Sequence, residues 1–342
     1  MVNDIKVLIV DDSMFFREYL SEGLKKQNGI EVVGFAQDPY DARDLILELK
    51  PDVITLDVNM PRMSGIDFLK KLIPQYPIPV VVISSASTNI FDALDAGAVD
   101  FLKKPDIKDK DGTVFFKELA IKIKISSQVK YINVRKDEKS NFSKGSTDIH
   151  DVDKYIIAMG ASTGGTEALR DFLSGIPGNL PPILIVQHMP KYFTKAFAER
   201  LDTISRAKVL EAENGMKARV GEVYIAPGDE HMLLKTSGNE YLIEIRTGPL
   251  VSRHRPSVDV LFRSAARYAG KNVIGIIMTG MGDDGARGMA EMKENGAVTI
   301  AQDEASCVVF GMPKEAIKRN CVDFILPLQG ILPKLAEILK IQ

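Results

Sequence analysis

The segment from Lys6 to Ser13 reads KVLIVDDS, an apolar run that ends in two acidic residues. A continuous apolar run of this kind is typical of a strand that is covered on both faces, as in a parallel sheet. Further short runs alternate with stretches of helical periodicity such as Phe15–Lys26 and Pro39–Lys50. The predicted strands are Lys6–Val10, Glu31–Phe35, Asp52–Leu56, Pro79–Ile83 and Val99–Leu102. This alternation predicts βαβ units around a parallel sheet.

Polar side chains follow four of these strands, and in a parallel α/β sheet such positions share one edge. Clustered carboxylates repel one another unless a cation lies between them, and their oxygens favour Mg²⁺, which also binds phosphate oxygens. The pattern indicates phosphoryl chemistry on a carboxylate. The alternative for any single aspartate is a helix cap or a solvated loop. The residues concerned are Asp11, Asp12, Asp57, Ser84 and Lys104.

Four motifs in this part of the chain resemble those of the receiver domains of bacterial two-component response regulators. They are VDDS at 10–13, TLDVNMPRMSG at 55–65, ISSAS at 83–87 and FLKKP at 101–105. The resemblance covers residues 4–125 and implies a flavodoxin-like (βα)5 receiver domain.

The same resemblance implies roles for the polar residues at the sheet edge. Asp57 is the implied phosphorylation site, and Ser84 and Lys104 are implied to contact the phosphoryl group. A chemotaxis histidine kinase is the implied phosphodonor. The implied ligands of Mg²⁺ are Asp11, Asp12, Asp57 and the main-chain carbonyl of Asn59.

Residues 126–152 interrupt the α/β pattern, because they are rich in Ser, Lys, Asp and Asn and contain few large apolar side chains. Such a composition is typical of a linker and not of a compact domain. We therefore expect a boundary here, with His150 as an exposed residue of the linker. The chain has 342 residues, which is enough for about two domains of ordinary size.

The second half of the chain, residues 153–342, returns to an α/β pattern. Two alternating segments, His231–Lys235 and Tyr241–Arg246, flank a turn and predict a β-hairpin attached to the sheet. The other predicted strands are Tyr155–Met159, Ile183–Gln187, Glu222–Ala226, Val273–Met278, Ala297–Ala301 and Val322–Leu326. The pattern predicts a second doubly wound, mostly parallel sheet.

The motif GASTGG at 160–165 comes directly after the first strand of this half. Its glycines allow a sharp strand-to-helix turn, which in the pattern GxSxG exposes a nucleophilic serine, here Ser162. A glycine-rich turn at a helix start also suits a phosphate or dinucleotide, but GxGxxG and a Walker lysine are both absent from this turn. The favoured interpretation is a nucleophile, with a simple tight turn as the remaining alternative.

Candidate partners for Ser162 follow two other strands. His188 ends the second strand in IVQHMP, and imidazole titrates near neutral pH, as a general base requires. Asp283 and Asp284 lie in a glycine-rich loop after an apolar strand, where one could orient the histidine and the other could cap a helix. The order Ser, His, Asp differs from that of α/β-hydrolases and disfavours that fold.

Six motifs in this half resemble the chemotaxis protein-glutamate methylesterase (CheB) family. They are GASTGG at 160–165, VQHMP at 186–190, YIAPGDEHM at 224–232, RHRPSVDVLF at 253–262, MTGMGDDGARGM at 278–289 and AQDEASCVVFGMP at 301–313. The resemblance implies hydrolysis of glutamate methyl esters on methyl-accepting chemotaxis receptors, with deamidation of glutamine as a second activity. It also implies activation by phosphorylation of Asp57, and a role in sensory adaptation.

By this resemblance Ser162 is the nucleophile, His188 the base, Asp284 its orienting acid, and the Met281 amide an oxyanion donor. No cofactor is expected for the ester hydrolysis. Charge and position indicate that a further set of residues near these binds the substrate. The alternative is that they form a solvated loop with weak ion pairs. The members of this set are Thr163, His231, Arg253, His254 and Arg255.

Composition limits the other functions. The 44 basic and 46 acidic residues give a net charge of −2, so no global basic field favours nucleic acid as a partner. No apolar run reaches the length of a membrane span and no signal peptide is recognisable, so we expect a cytoplasmic protein without direct membrane insertion. A phosphorylation-dependent scaffold and a general serine amidase or peptidase remain alternatives to the methylesterase.

Overall fold

The structure is a computed structural model that describes residues 4–85, 90–105, 112–129 and 152–340. The chain divides into two compact units, one up to residue 133 and one from residue 134 onward, and each is described by itself. Most of the predicted linker, from residue 130 to 151, lies outside the described residues, and so does His150. The boundaries 4–125, 126–152 and 153–342 therefore stay predictions.

The first unit contains a five-stranded parallel sheet in the order β2-β1-β3-β4-β5. Its strands are β1 (Ile5–Val10), β2 (Ile30–Ala36), β3 (Val53–Leu56), β4 (Val80–Ser84) and β5 (Asp100–Lys103). Its helices are α1 (Met14–Lys25), α2 (Pro39–Leu49), α3 (Gly65–Leu72), α4 (Ile90–Asp95) and α5 (Thr113–Ser126). This strand order confirms the predicted flavodoxin-like (βα)5 fold.

Burial of the central strands explains why the apolar runs predicted this sheet well. Every residue of β3 and β4 is buried, because helices cover the sheet on both faces. Phe115 and Phe116 of α5 pack with Leu20 of α1 in the core on one side. The polar residues that follow the strands are thereby brought to one edge.

The second unit contains a seven-stranded parallel sheet in the order β14-β13-β12-β6-β7-β9-β8. Its strands are β6 (Ile156–Ala161), β7 (Ile183–Gln187), β8 (Lys208–Glu211), β9 (Glu222–Ile225), β12 (Val273–Ile277), β13 (Val298–Gln302) and β14 (Phe324–Leu326). Its helices are α6 (Gly165–Gly175), α7 (Lys191–Ile204), α8 (Val258–Ala269), α9 (Ala286–Glu294), α10 (Met312–Lys318) and α11 (Leu328–Ile338). The predicted doubly wound, mostly parallel fold is confirmed.

One prediction about this unit needs correction, and one strand is absent from the predictions. The hairpin strands β10 (His231–Ser237) and β11 (Glu240–Arg246) form a separate two-stranded sheet and do not join the main one. The hairpin packs on α8, where the Leu234 amide donates a hydrogen bond of 2.9 Å to Ser264 Oγ. Strand β8 was not predicted, because an edge strand of four residues with charged ends carries almost no periodic signal.

Candidate functional site

Three neighbouring strands of the second sheet bring the predicted catalytic residues together. Strand β6 lies between β7 and β12, and Ala161 pairs with Gln187 in the parallel register. Ser162 and His188 are the next residues of these two strands, and the His188 amide donates to the Ala161 carbonyl at 3.1 Å. The loop after β12 carries Asp284. The predicted nucleophile, base and acid thus follow adjacent strands at one sheet edge.

Close packing explains why glycine surrounds the serine. Gly164 has φ of +76° immediately before α6, a left-handed conformation that favours glycine. A Cβ on Gly165 would lie 2.2 Å from Gln187 Oε1, and one on Gly280 would lie 2.7 Å from Ser162 Cβ. Ser162 is half-buried, and its hydroxyl makes no hydrogen bond to other described residues. The turn therefore holds Ser162 tightly while leaving its hydroxyl available.

His188 and Asp284 form a buried pair. His188 Nε2 lies 2.8 Å from Asp284 Oδ2, with the two side chains 8% and 1% exposed. The other ring nitrogen, Nδ1, is buried and has no hydrogen-bond partner among the described residues. Because the carboxylate accepts a hydrogen bond from Nε2–H, the neutral ring keeps its lone pair on Nδ1. His188 can therefore accept a proton through Nδ1.

Asp284 is held by the first turn of α8. Its carboxylate accepts hydrogen bonds from Ser257 Oγ at 2.7 Å, the Val258 amide at 2.8 Å and the Asp259 amide at 3.0 Å. Burial alone would raise the pKa of Asp284, but the contacts with His188 and with these donors leave the pKa below its ordinary value. The positive end of the helix stabilises the same charge. Asp284 is thus an ionised group that orients His188.

The Met281 amide N–H belongs to a peptide unit whose carbonyl, that of Gly280, is held by two hydrogen bonds. The Gly280 carbonyl accepts from the amides of Gly311 at 3.0 Å and Met312 at 2.8 Å. The N–H of the same peptide unit, that of Met281, points the opposite way because the peptide is planar and trans. This N–H has no hydrogen-bond partner within the described part of the chain. It is a free donor one residue from the close contact between Gly280 and Ser162.

Two members of the predicted substrate-binding set are buried. Thr163 is 8% exposed, and its carbonyl accepts a hydrogen bond of 3.0 Å from Thr279 Oγ1. His231 is 5% exposed, and its Nε2 donates to the Pro249 carbonyl at 2.9 Å while its Nδ1 accepts from the Ser257 amide at 3.3 Å. Both ring nitrogens of His231 are used within the protein. The prediction that His231 binds substrate is therefore corrected to a supporting role for the start of α8.

The other three members differ from one another in exposure and in contacts. The Arg253 side chain is 80% exposed, and its Nη2 lies 3.5 Å from Asp283 Oδ1. Arg255 donates a hydrogen bond to the Gly248 carbonyl. The His254 ring stacks on the His188 ring, with centroids 3.7 Å apart and planes 8° apart. Arg253 thus offers an exposed cation, and Asp283 lies against it while Asp284 holds His188.

The stacking of His254 and the donors from Ser257 and the start of α8 were not predicted from the sequence. The motif RHRPSVDVLF contains all of them, and Ser257 before an apolar helix is a recognisable cap signal. The sequence does not show that this helix start meets the loop after β12. Only the fold brings the two segments together.

The polar residues at the edge of the first sheet also converge. Lys104 Nζ lies 2.7 Å from both Asp11 Oδ2 and Asp57 Oδ2. Burial alone lowers the pKa of Lys104, but its hydrogen bonds and charge interactions with these carboxylates raise it overall. Burial raises the pKa of Asp11. Ser84, at the end of β4, is fully buried.

The acidic residues of this edge suit a hard cation. One carboxylate oxygen each from Asp11, Asp12 and Asp57 lies within 4.8 Å of the others. Asp12 is exposed and Asp11 is buried, so the cluster faces solvent on one side. The Asn59 amide donates to Asp57 Oδ1 at 3.3 Å, which places the Asn59 peptide beside the cluster. An all-oxygen set that is open to water fits Mg²⁺, which keeps several water ligands.

Two family models match the chain, one in each of its two units. The family model described as CheB methylesterase matches residues 157–335, and the one described as response regulator receiver domain matches residues 7–111. Within the described residues, no helix has both the length and the apolar character of a membrane span.

Relatives match over nearly the whole chain. A Geobacter metallireducens protein named protein-glutamate methylesterase/protein-glutamine glutaminase 3 is 52% identical over 96% of this chain and 97% of its own length. An Anaeromyxobacter dehalogenans relative with the same name, numbered 5, is 48% identical over 98% and 96%. The crystal structure of the Thermotoga maritima CheB methylesterase catalytic domain is 42% identical, with a TM-score of 0.53 over 54% of this chain and 98% of that domain. The chain therefore belongs to the CheB methylesterase family and carries a response regulator receiver domain ahead of its methylesterase domain.

Proposed function

We propose that this chain hydrolyses the γ-methyl esters of glutamate residues in proteins and deamidates glutamine residues at the same site. The observation that carries the proposal is the buried His188–Asp284 pair, in which Nδ1 of the histidine has no partner among the described residues. His188 and Ser162 follow two neighbouring strands at the same level of the sheet. The names of the relatives, protein-glutamate methylesterase/protein-glutamine glutaminase, support the choice of substrate.

In the first half of the reaction, His188 accepts the Ser162 proton through Nδ1 as the Ser162 oxygen attacks the ester carbonyl. Negative charge forms on the carbonyl oxygen, where the Met281 N–H donates a hydrogen bond. Asp284 stabilises the imidazolium that forms. The C–O bond to methoxide then breaks, His188 returns the proton, and methanol leaves while the glutamyl group stays on Ser162.

In the second half, His188 takes a proton from water as the water oxygen attacks the acyl carbon. The bond to Ser162 breaks, the proton returns to Ser162 Oγ, and the substrate protein leaves with a glutamate side chain at this position. Starting from glutamine, the first leaving group is ammonia, and the remaining steps are the same. One site therefore serves both activities.

We propose that phosphorylation of Asp57 regulates the rate of ester hydrolysis. Asp11, Asp12, Asp57 and the Asn59 carbonyl would hold Mg²⁺, which when bound neutralises the carboxylates and the phosphoryl oxygens. Lys104 and Ser84 then bind the phosphoryl group, so that Lys104 changes from a carboxylate partner to a phosphate partner. The proposed consequence is a change in the rate at which the methylesterase domain turns over.

The proposed substrates are methyl-accepting chemotaxis receptors, and the proposed phosphodonor is a chemotaxis histidine kinase. The activity would then serve sensory adaptation, in the cytoplasm. The exposed cation of Arg253 supports an acidic substrate, because opposite charges attract. The domain boundaries 4–125 and 153–342 are part of this proposal.

The test is methanol release from methylated chemoreceptor membranes, with and without a small-molecule phosphodonor and Mg²⁺. We expect release that rises with the phosphodonor and disappears in Ser162→Ala, with Ser205→Ala as a control that retains it. Absence of release under every condition would favour the scaffold interpretation. Equal rates of methanol release with and without phosphodonor, in a sample verified as phosphorylated at Asp57, would contradict regulation by phosphorylation.

A further inference from the structure

The ring of His188 is fixed on two sides by different groups. Asp284 holds its Nε2 edge at 2.8 Å, and the His254 ring covers one face in a nearly parallel stack with centroids 3.7 Å apart. An imidazole with a hydrogen bond at one edge alone can still turn about that bond. A second ring against its face removes this freedom, so the direction of Nδ1 is set by both contacts.

A tight turn holds His254 in place. The Val251 amide donates to the His254 carbonyl at 3.1 Å, and the His254 amide donates to the Val251 carbonyl at 2.9 Å. The two residues between them, Ser252 and Arg253, have φ of +48° and +70°. Positive φ at both central positions is the geometry of a type I′ turn, which is uncommon for residues other than Gly, Asn and Asp. The surrounding structure therefore maintains this conformation.

The turn is anchored to α8, the helix that also holds Asp284. Ser252 Oγ donates to Asp259 Oδ2 at 3.0 Å, and Asp259 Oδ1 accepts from the Gly288 amide at 2.7 Å. Asp259 is 1% exposed. Asp284, at the edge of the His188 ring, and the turn that carries His254, at its face, are therefore both held by the first turn of α8.

We propose that His254 is a positioning residue, whose ring holds the His188 imidazole in the orientation that aims Nδ1 at Ser162. His254 was predicted from the sequence to bind substrate, and the stacking gives it a different role. A flat ring is sufficient for this role, and a charge is not required. The inference rests on the proposed function, because it concerns the geometry of that same site.

The test compares His254→Ala and His254→Phe in the full chain, with a methyl-esterified glutamate peptide as substrate. We expect His254→Ala to lower kcat by about ten- to a hundredfold with little change in KM, since small misplacement of a catalytic group has effects of this size. His254→Phe keeps a ring against His188 and should recover most of the loss. Thermal unfolding is measured on both variants to show that they fold.

A second measurement does not depend on turnover. The chain has four histidines, so ¹⁵N-histidine spectra are simple, and His188→Gln assigns the signal of interest. We expect His188 to carry its proton on Nε2 in the wild type and in His254→Phe, and to show a mixture of tautomers or exchange broadening in His254→Ala. Ser252→Ala should give a smaller change in the same direction.

The outcomes separate the two hypotheses. A wild-type chain that does not hydrolyse the ester would contradict the proposed function. Wild-type turnover combined with unchanged kcat and an unchanged His188 signal in His254→Ala would contradict the inference alone. A raised KM with unchanged kcat in both variants would also overturn it, by showing that His254 contacts the substrate. Failure of His254→Phe to recover activity would overturn it as well, because a ring alone would then not position His188.

Discussion

The two ring nitrogens of His188 have different surroundings, and this difference defines the chemistry of the site. Nε2 donates to an ionised carboxylate, whereas Nδ1 is buried and has no partner among the described residues. Asp283 and Asp284 are adjacent in sequence, but their side chains also have different surroundings. Asp284 is buried against the first turn of α8, and Asp283 faces Arg253 at the surface.

Substitution at these two aspartates tests the assignment of the acid. Asp284→Asn replaces an acceptor with a group that can donate to His188, which favours the wrong tautomer, and we expect kcat to fall by about 10⁴-fold. Asp283→Asn, the matched control, should change kcat by less than about threefold, since its contact with Arg253 is exposed and weak. Similar losses in the two variants, measured as methanol release, would contradict the assignment.

The lowered pKa of Asp284 predicts a pH dependence of stability. A carboxylate whose folded pKa lies below its unfolded value stabilises the fold above the unfolded value, near the ordinary 3.8, and this contribution is lost as pH falls through the folded value. We expect the difference in free energy of unfolding between wild type and Asp284→Asn to be largest near neutral pH and to shrink below pH 3.8. Urea denaturation across this range measures it, and a difference that grows in acid would contradict the sign.

At the scale of elements, the site lies where the ends of three strands contact the start of a helix. Strands β7, β6 and β12 present His188, Ser162 and the loop with Asp284, while the first turn of α8 holds the carboxylate. The turn between β6 and α6 fits against β7 so closely that position 165 has no room for a side chain.

Gly165→Ala tests this close fit. The new Cβ would lie 2.2 Å from Gln187 Oε1 and 2.7 Å from Ala161 Cβ, so the turn has to shift and Ser162 moves with it. We expect a loss of about 1–3 kcal/mol of stability from overpacking, together with a loss of activity. Gly330→Ala in α11 is the control, because its Cβ would make only ordinary contacts at 3.4 Å. Thermal unfolding and methanol release report both effects, and a fully active Gly165→Ala would contradict the fit.

At the scale of the whole molecule, one chain combines a carboxylate cluster with a lysine in its first unit and a hydrolase site in its second. The two sites share no residue. Loss of the phosphoacceptor should therefore remove the response to a phosphodonor without removing the hydrolytic groups.

Asp57→Asn tests this separation. We expect this variant to lose the rise in methanol release on addition of phosphodonor and Mg²⁺, because no carboxylate remains at the end of β3 to accept the phosphoryl group. Asp44→Asn, an exposed aspartate of α2, should retain the rise. Persistence of the full rise in Asp57→Asn would place the effect of the phosphodonor elsewhere.

The sequence by itself predicted both parallel sheets, because continuous apolar strands and the residues that follow them are local signals. The predicted strand Pro79–Ile83 is found at Val80–Ser84, and the predicted strand Ile183–Gln187 is found with the same bounds. The polar residues after four strands of the first sheet are recognisable in the same way. The motifs also identified Ser162, His188 and the acidic loop as one candidate set. Strand β8 was missed because a short edge strand has little periodicity, and the hairpin was wrongly attached to the main sheet because pairing partners are not encoded locally.

Only the tertiary structure decided which aspartate faces His188, that His231 uses both ring nitrogens internally, and that His254 stacks on His188. Each of these depends on contact between segments far apart in the chain. Local sequence determines where a strand ends and which residue follows it. The packing of α8 and the turn at 251–254 against the sheet determines which of those residues meet, because that contact is set by the burial of a whole helix face.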